Sequence, residues 1–238
     1  FLQMLFAGSG MLYIGISGFL LLSIVPLIFL VYTGIKLLFN LRFKNKYFNR
    51  VAASFFGAGI ILLLVSTTYL VKEFSVGAKT KTVIPMLAAA TDTLYVDVRQ
   101  LSSSSGDDDR ITFNNAHLTL FDDDTFIMED IDLTIEQSDK PVFELLRTVN
   151  ARGRSVSEAN MAAAQANPLV EQNDSTLLFE AGFKLSKHNT WRNQRVSFKL
   201  KVPVGKTIIF MNGADHLAIN NGEVVSNTTW NMTNKGFT

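Results

Sequence analysis

The first 35 residues contain no Asp, Glu, Lys, Arg or His. A water-soluble fold has few uses for so long an uncharged run. A bilayer core of about 30 Å takes about 20 apolar residues as a helix. The stretch MLYIGISGFLLLSIVPLIFLVYTGI (11–35) meets that length. AGSG at 7–10 interrupts the run, so 1–10 reads as the end of a preceding membrane element and 11–38 as the first transmembrane helix. The chain begins at Phe1, which reads as a piece of a longer protein lacking its N-terminus. Pro26 falls mid-span, where it removes one backbone hydrogen bond and kinks the helix, as membrane helices tolerate.

VAASFFGAGIILLLVSTTYLV (51–71) is uncharged throughout, and the second transmembrane helix is read over 51–72. Small residues crowd its first half, and Ala53, Gly57 and Gly59 are the candidates for a helix-packing face. Membrane helices are Gly-rich in any case, so ordinary membrane composition also accounts for them. Between the spans lies a basic cytoplasmic loop, 39–50. Lys36, Arg42, Lys44, Lys46 and Arg50 stand at or in it without one acidic residue. Cytoplasmic loops carry such an excess, so these five set the topology and meet anionic lipid, and residue 73 onward lies outside the cytoplasm. Tyr32, Phe39, Phe43, Tyr47 and Phe48 crowd the same end, as interfacial aromatics do. A loop this short, pinned at both ends to lipid, is a poor nucleic-acid site, and no nucleic-acid partner is expected. Charge divides the same way. Residues 1–72 carry six basic and no acidic residues, net +6, and residues 73–238 carry 16 basic and 21 acidic, net −5. One part belongs beside an anionic surface and the other in water.

After a linker, 73–92, the pattern turns to period two, and 93–238 reads as one extracytoplasmic β-rich domain. TLYVDV (93–98), HLTLF (117–121), TFIMEDIDLTIE (125–136), STLLFEAGFKL (175–185), RVSFKLKV (195–202), KTIIF (206–210) and EVVS (223–226) are strand-like. SGDDD, FDDDT, QSDKP, NDS, PVG and NNGE separate them as turns. Many short strands at short spacing predict a sandwich, barrel or solenoid. One short helix is expected over 155–167, with Ser155 or Ser157 as its N-cap and Pro168 just past its end. In PVG, Pro203 is expected to set the first corner of a tight turn, and Gly205 to take the positive φ that follows. Both are structural.

No catalytic constellation emerges. The chain has no cysteine, which removes disulfides, thiolate metal sites and thiol nucleophiles together. His117, His188 and His216 stand far apart and show no zinc-ligand spacing. Asp107–Asp109 and Asp122–Asp124 lack the alternate-position spacing of a calcium loop and fit solvated turns. Nucleophile-elbow, phosphate-loop and dinucleotide motifs are missing. Trp191 and Trp230 fit caps on a hydrophobic core better than a ligand platform. No catalytic, metal or cofactor residue is therefore assigned, and the chain is expected not to be an enzyme.

The two spans, the loop IKLLFNLRFKNKYFNR, the segment VNARGRSVSEANMAAAQANPLVEQNDSTLLFEAGFKL, then WRNQRVSFKLKVPVGKTIIF and WNMTNKG carry a resemblance. The chain resembles the C-terminal part of phage shock protein C domain-containing proteins of the Bacteroidetes type, from about residue 11 to 236. Its most specific pieces are ARG (151–153), taken as a turn, with its Ala-rich helix, and QRVSFKLKVPVG. The resemblance implies an extracytoplasmic toast-rack domain of repeated strands on a bacterial inner-membrane anchor, facing the periplasm. It implies a non-catalytic part in sensing or regulating envelope stress and membrane homeostasis. Expected partners are the lipid bilayer and membrane or periplasmic proteins, or a second copy. The alternatives are a structural or accessory subunit of a larger inner-membrane complex, or a membrane-tethered hydrolase or sugar-binding enzyme using scattered acids.

Overall fold

In the computed structural model the chain divides into two units, 1–75 and 76–238, and each is described by itself. The described residues are 9–39, 46–86, 92–101, 110–113, 116–122, 124–129, 131–186, 189–214, 218–219, 222–223 and 226–237.

The first unit is a helix hairpin of α1 (Ser9–Leu38) and α2 (Lys46–Glu73). Within them Gly10–Leu38 and Tyr47–Glu73 are long and apolar enough to cross a membrane. At 1.5 Å per residue each helix exceeds the ~30 Å of a hydrocarbon core. Large apolar side chains point outward. Leu27, Leu30 and Leu64 are 60%, 66% and 63% exposed. Water would penalise that surface and lipid does not, so the hairpin is built as a membrane anchor. Hydroxyls inside the helices bond their own backbone, Thr33 Oγ1 to Phe29 O at 2.8 Å and Thr68 Oγ1 to Leu64 O at 2.7 Å. Polar groups in an apolar span are thereby satisfied locally.

Among the described residues the second unit is a mainly-β domain of three sheets. Sheet I runs β1 (Val76–Ile84), β7 (Glu144–Gly153), β11 (Arg195–Val202), β6 (Ile131–Gln137), β13 (Ala218–Ile219), β14 (Gly222–Glu223). Sheet II runs β16 (Gly236–Phe237), β15 (Thr229–Thr233), β12 (Thr207–Phe210), β2 (Thr93–Arg99), β9 (Thr176–Glu180), β8 (Val170–Asn173). Sheet III runs β10 (Phe183–Ser186), β5 (Thr125–Met128), β4 (Ala116–Asp122), β3 (Arg110–Phe113).

The chain winds through these sheets repeatedly. It passes from β2 in sheet II through sheet III to β6 in sheet I, and again from β9 through β10 to β11. A third passage leads from β12 to β13. Successive passages lie side by side in parallel, with β2 between β9 and β12, and β6 between β11 and β13. Parallel neighbours far apart in sequence are the mark of a coiling chain rather than of hairpins. The solenoid-like expectation therefore describes the wiring better than a simple sandwich.

Alternation fills the core. Leu94, Val96, Leu177, Phe179, Ile208 and Phe210 of sheet II and Leu133, Val196, Phe198 and Leu200 of sheet I are at most 1% exposed. The rings of Phe179 and Phe198 meet edge to face at 5.1 Å, joining sheet II to sheet I. Helix α3 (Val156–Gln165) covers part of the remaining surface with Ala159, Ala162 and Ala163. Ser155 caps it, its Oγ accepting from Glu158 N at 3.2 Å, while Glu158 Oε2 accepts from Arg154 N at 3.1 Å.

Four expectations need correction. The supposed linker 73–92 contains β1, nine residues paired with β7 from Val76↔Gly153 to Ile84↔Leu145. It is an edge strand with most side chains in solvent, so VGAKTKTVI shows no hydrophobic alternation. The ARG of 151–153 is no turn but the last three residues of β7. The single strand expected over 125–136 is two, β5 and β6, in different sheets; that over 175–185 is β9 and β10, divided at Ala181–Gly182. Gly182 is needed there because a Cβ would stand 2.7 Å from Met128 O.

Candidate functional site

In the helix hairpin, backbone meets backbone at glycines. A Cβ on Gly18 would lie 2.9 Å from Leu63 N and 3.1 Å from Gly59 O. One on Gly59 would lie 3.0 Å from Leu21 Cβ, and one on Gly15 would lie 2.6 Å from Ser66 Oγ. Ser66 is buried and donates to Met11 O across the pair at 3.3 Å. The crossing is thus Gly15, Gly18, Gly59 and Ser66, small residues that let the helices close up and one hydroxyl that bonds between them. Of the expected packing residues only Gly59 takes part. Gly57 has open space where its Cβ would be, and Ala53 is exposed. They lie on other faces of the same helix. Gly15, Gly18 and Ser66 went unread, although Gly15 and Gly18 stand one turn apart and Ser66 follows Gly59 by seven.

At the loop end, the rings of Tyr32 and Phe48 meet tilted with centroids 4.1 Å apart, and Phe29 lies near-parallel to Phe48 at 6.5 Å. Lys36 is in the last turn of α1, Lys46 opens α2, and Arg50 is exposed in its first turns. Arg42, Lys44 and Phe43 lie outside the described residues. Beside this end Val25, Pro26, Phe29, Ala52, Ala53 and Phe56, with Asn49, line an apolar groove of about 440 Å³.

In the β-domain, Pro203 and Gly205 form a turn that carries the chain from β11 in sheet I to β12 in sheet II. Lys206 N donates to Pro203 O at 3.2 Å, so Val204 and not Pro203 occupies the first corner. Gly205 is the second corner at φ +83°. Gly205 N donates to Met232 O at 2.9 Å and Met232 N to Lys206 O at 3.0 Å, which ties the turn to β15. Trp191 is buried, and Trp230 packs its ring edge to face on Phe210 at 5.1 Å.

The outer face of sheet I is polar and sorted by charge. Lys199 reaches Glu136 at 2.6 Å and Lys201 reaches Glu144 at 3.9 Å. Glu144 also bonds Lys140; that hydrogen bond, and then the lysine charge, holds the Glu144 carboxyl below its usual range, and the same hydrogen bond with the Glu144 charge pushes the Lys140 ammonium up. Toward the β1 edge the balance changes. The register places Lys79 opposite Asn150 and Asn150 opposite Arg195. Arg152 follows on the same face, opposite Gly77. With Asn193 these residues line a groove of about 440 Å³, and none of its described lining residues is acidic. Sequence reading missed it because its members are scattered over more than a hundred residues and meet only through strand register.

No cluster of His, Asp and Glu suited to a metal stands among the described residues. The side chains of His117, His188 and His216, and Asp107–Asp109, lie outside them. Of the second aspartate group, only Asp124 has a described side chain, and it is exposed.

Residues 121–238, just under half of the chain, match the family model described as the ToastRack found in some PspC. No curated protein and no solved structure matches significantly. The matched segment begins inside β4, whereas β1 and β2 belong to the same sheets as the strands that follow. Behind its two-helix membrane anchor, the C-terminal half of the chain is thus similar to the ToastRack found in some PspC, and it folds in one compact unit with the strands from Val76 onward.

Proposed function

We propose that this is a non-catalytic inner-membrane protein of the phage shock protein C type. Its toast-rack domain lies on the periplasmic side and acts as an interaction or sensing module in envelope stress and membrane homeostasis. The observation that carries this reading is the toast-rack match at 121–238 on a chain whose apolar helices flank a wholly basic loop. The positive-inside rule assigns that loop to the cytoplasm and both outer ends of the hairpin to the other side. The Bacteroidetes-type likeness of the sequence supports the same assignment.

A structural subunit of a larger membrane complex is a second reading, favoured by the apolar groove beside Pro26 and Phe56, which offers a seat for a partner's apolar side chain. Purification in gentle detergent from stressed and unstressed cells, with mass spectrometry of what accompanies the protein, separates the two. A module that senses stress changes its partners or its oligomeric state with stress. A subunit keeps one partner in fixed ratio under both conditions. A protein that emerges alone and unchanged under both conditions contradicts each.

A further inference from the structure

At the end of the helix hairpin away from the basic loop lies a second groove, of about 350 Å³. Met11 of α1 and Leu64, Val65, Thr68, Tyr69 and Lys72 of α2 line it. Its origin is local. Ser66 Oγ donates to Met11 O at 3.3 Å. Past that contact the described part of α1 has two residues, to Ser9, while α2 has seven, to Glu73. The last two turns of α2 thus outrun the described part of α1.

The wall is graded along its length. Leu64 and Val65 are 63% and 47% exposed. Thr68 bonds Leu64 O at 2.7 Å, so its hydroxyl is turned to its own helix. Tyr69 follows, half-buried, and then Lys72, the one charged side chain among the described residues of the lining. Lys72 stands eight residues beyond Leu64, about 12 Å of helix. One leaflet of the hydrocarbon core is about 15 Å deep. An apolar wall of leaflet depth, with a tyrosine and then an ammonium at its rim, follows the order of a phospholipid from acyl chain to phosphate.

We propose that this groove holds one anionic phospholipid, with an acyl chain along Met11, Leu64 and Val65 and the head-group phosphate at the Lys72 ammonium. The lining names the occupant. An ammonium above an apolar wall calls for an anion that carries an apolar tail. A zwitterionic head group brings its own cation and gains less from Lys72. The site lies wholly within the hairpin. It needs the membrane anchor but not the sensing role, which a change of partners under stress tests separately.

A lysine in the last turn of a membrane helix also suits the helix dipole and snorkels to the interface, which is the competing account of Lys72. That account needs no groove, so filling the groove with Lys72 in place separates the two. The test uses the full chain in neutral detergent micelles. Phosphatidylglycerol or phosphatidylcholine is added, and bound lipid is counted by native mass spectrometry. The basic loop takes up anionic lipid too, so the informative quantity is the difference between variants. The unmodified chain is expected to keep one phosphatidylglycerol that phosphatidylcholine does not displace. Lys72→Gln should weaken that lipid about fivefold. Val65→Trp, which fills the groove, should release it, whereas Leu27→Trp, lipid-facing and outside the groove, should not. If Val65→Trp loses helix content by circular dichroism, Leu64→Trp on the same wall replaces it. An effect of Lys72→Gln without one of the groove-filling variant would overturn the site and leave Lys72 an interfacial anchor. Phosphatidylcholine held as firmly, and indifferent to Lys72→Gln, would overturn the anionic assignment. Unchanged binding in both variants would overturn the proposal outright.

Discussion

Gly205 shows most directly how one residue sets a backbone path. At φ +83° it turns the chain between two sheets, and nothing lies within 4 Å of where its Cβ would be. A side chain there meets conformational strain without steric conflict. Gly205→Val should therefore destabilise the β-domain by about 1–3 kcal/mol, with Gly205→Asn costing less, as read by thermal unfolding. An unchanged melt for Gly205→Val would contradict the turn geometry. A few angstroms away Lys206 donates to Asp92 at 2.5 Å, and that hydrogen bond, then the lysine charge, holds the Asp92 carboxyl below its usual range. A carboxylate with a lowered folded pKa contributes stability above its unfolded pKa, and the contribution fades as pH falls through the folded value. In low salt, Lys206→Gln should thus lower the melting temperature near neutrality and flatten its decline across the carboxylate range. The difference should shrink at high salt, because both groups face water. Melting curves that match at every pH would mean that the pair contributes nothing.

Among the elements, what could be read beforehand follows from where each side chain points. β11 was legible to the residue, since Arg195–Val202 alternates buried and half-exposed positions along its whole length. The Ser155 cap was legible because a hydroxyl three residues before Glu158 is a local signal. β1 was not, because an edge strand bearing Lys79 and Lys81 buries too little to alternate. Nor was β7, where half-buried Leu146 interrupts the rhythm of Leu145, Val149 and Ala151. The helix crossing was half legible: small residues were the right signal, but the density around Gly57 drew attention from the seven-residue step Gly59 to Ser66. The geometry makes a sharp contrast. Gly18→Leu or Gly59→Leu should break the hairpin packing and lower its stability in detergent, while Gly57→Leu should leave it nearly unchanged. Equal effects at Gly57 and Gly59 would show that the helices cross elsewhere. The basic groove was illegible for a different reason, since no local pattern joins Lys79 to Asn150 and Arg195.

For the molecule as a whole, parallel pairing makes the β-domain larger than its family match. β2 sits between β9 and β12 with Leu94 and Val96 fully buried, yet it lies before residue 121. Burying each such side chain is worth about 1.5–3 kcal/mol, and removing the strand also opens two ladders. A fragment 121–238 should therefore fail to melt cooperatively, whereas 76–238 should. Cooperative unfolding of the shorter piece would contradict the sheet order. The central claim is an anchored toast-rack domain on the side of the membrane opposite the basic loop. The absence of native cysteine allows a clean test of it. Asn45→Cys in the loop and Asn234→Cys in the exposed turn after β15 would each be treated with a membrane-impermeant maleimide in spheroplasts. The account predicts labelling of Asn234→Cys at once and of Asn45→Cys only after lysis; the reverse order, or labelling of both before lysis, would contradict it.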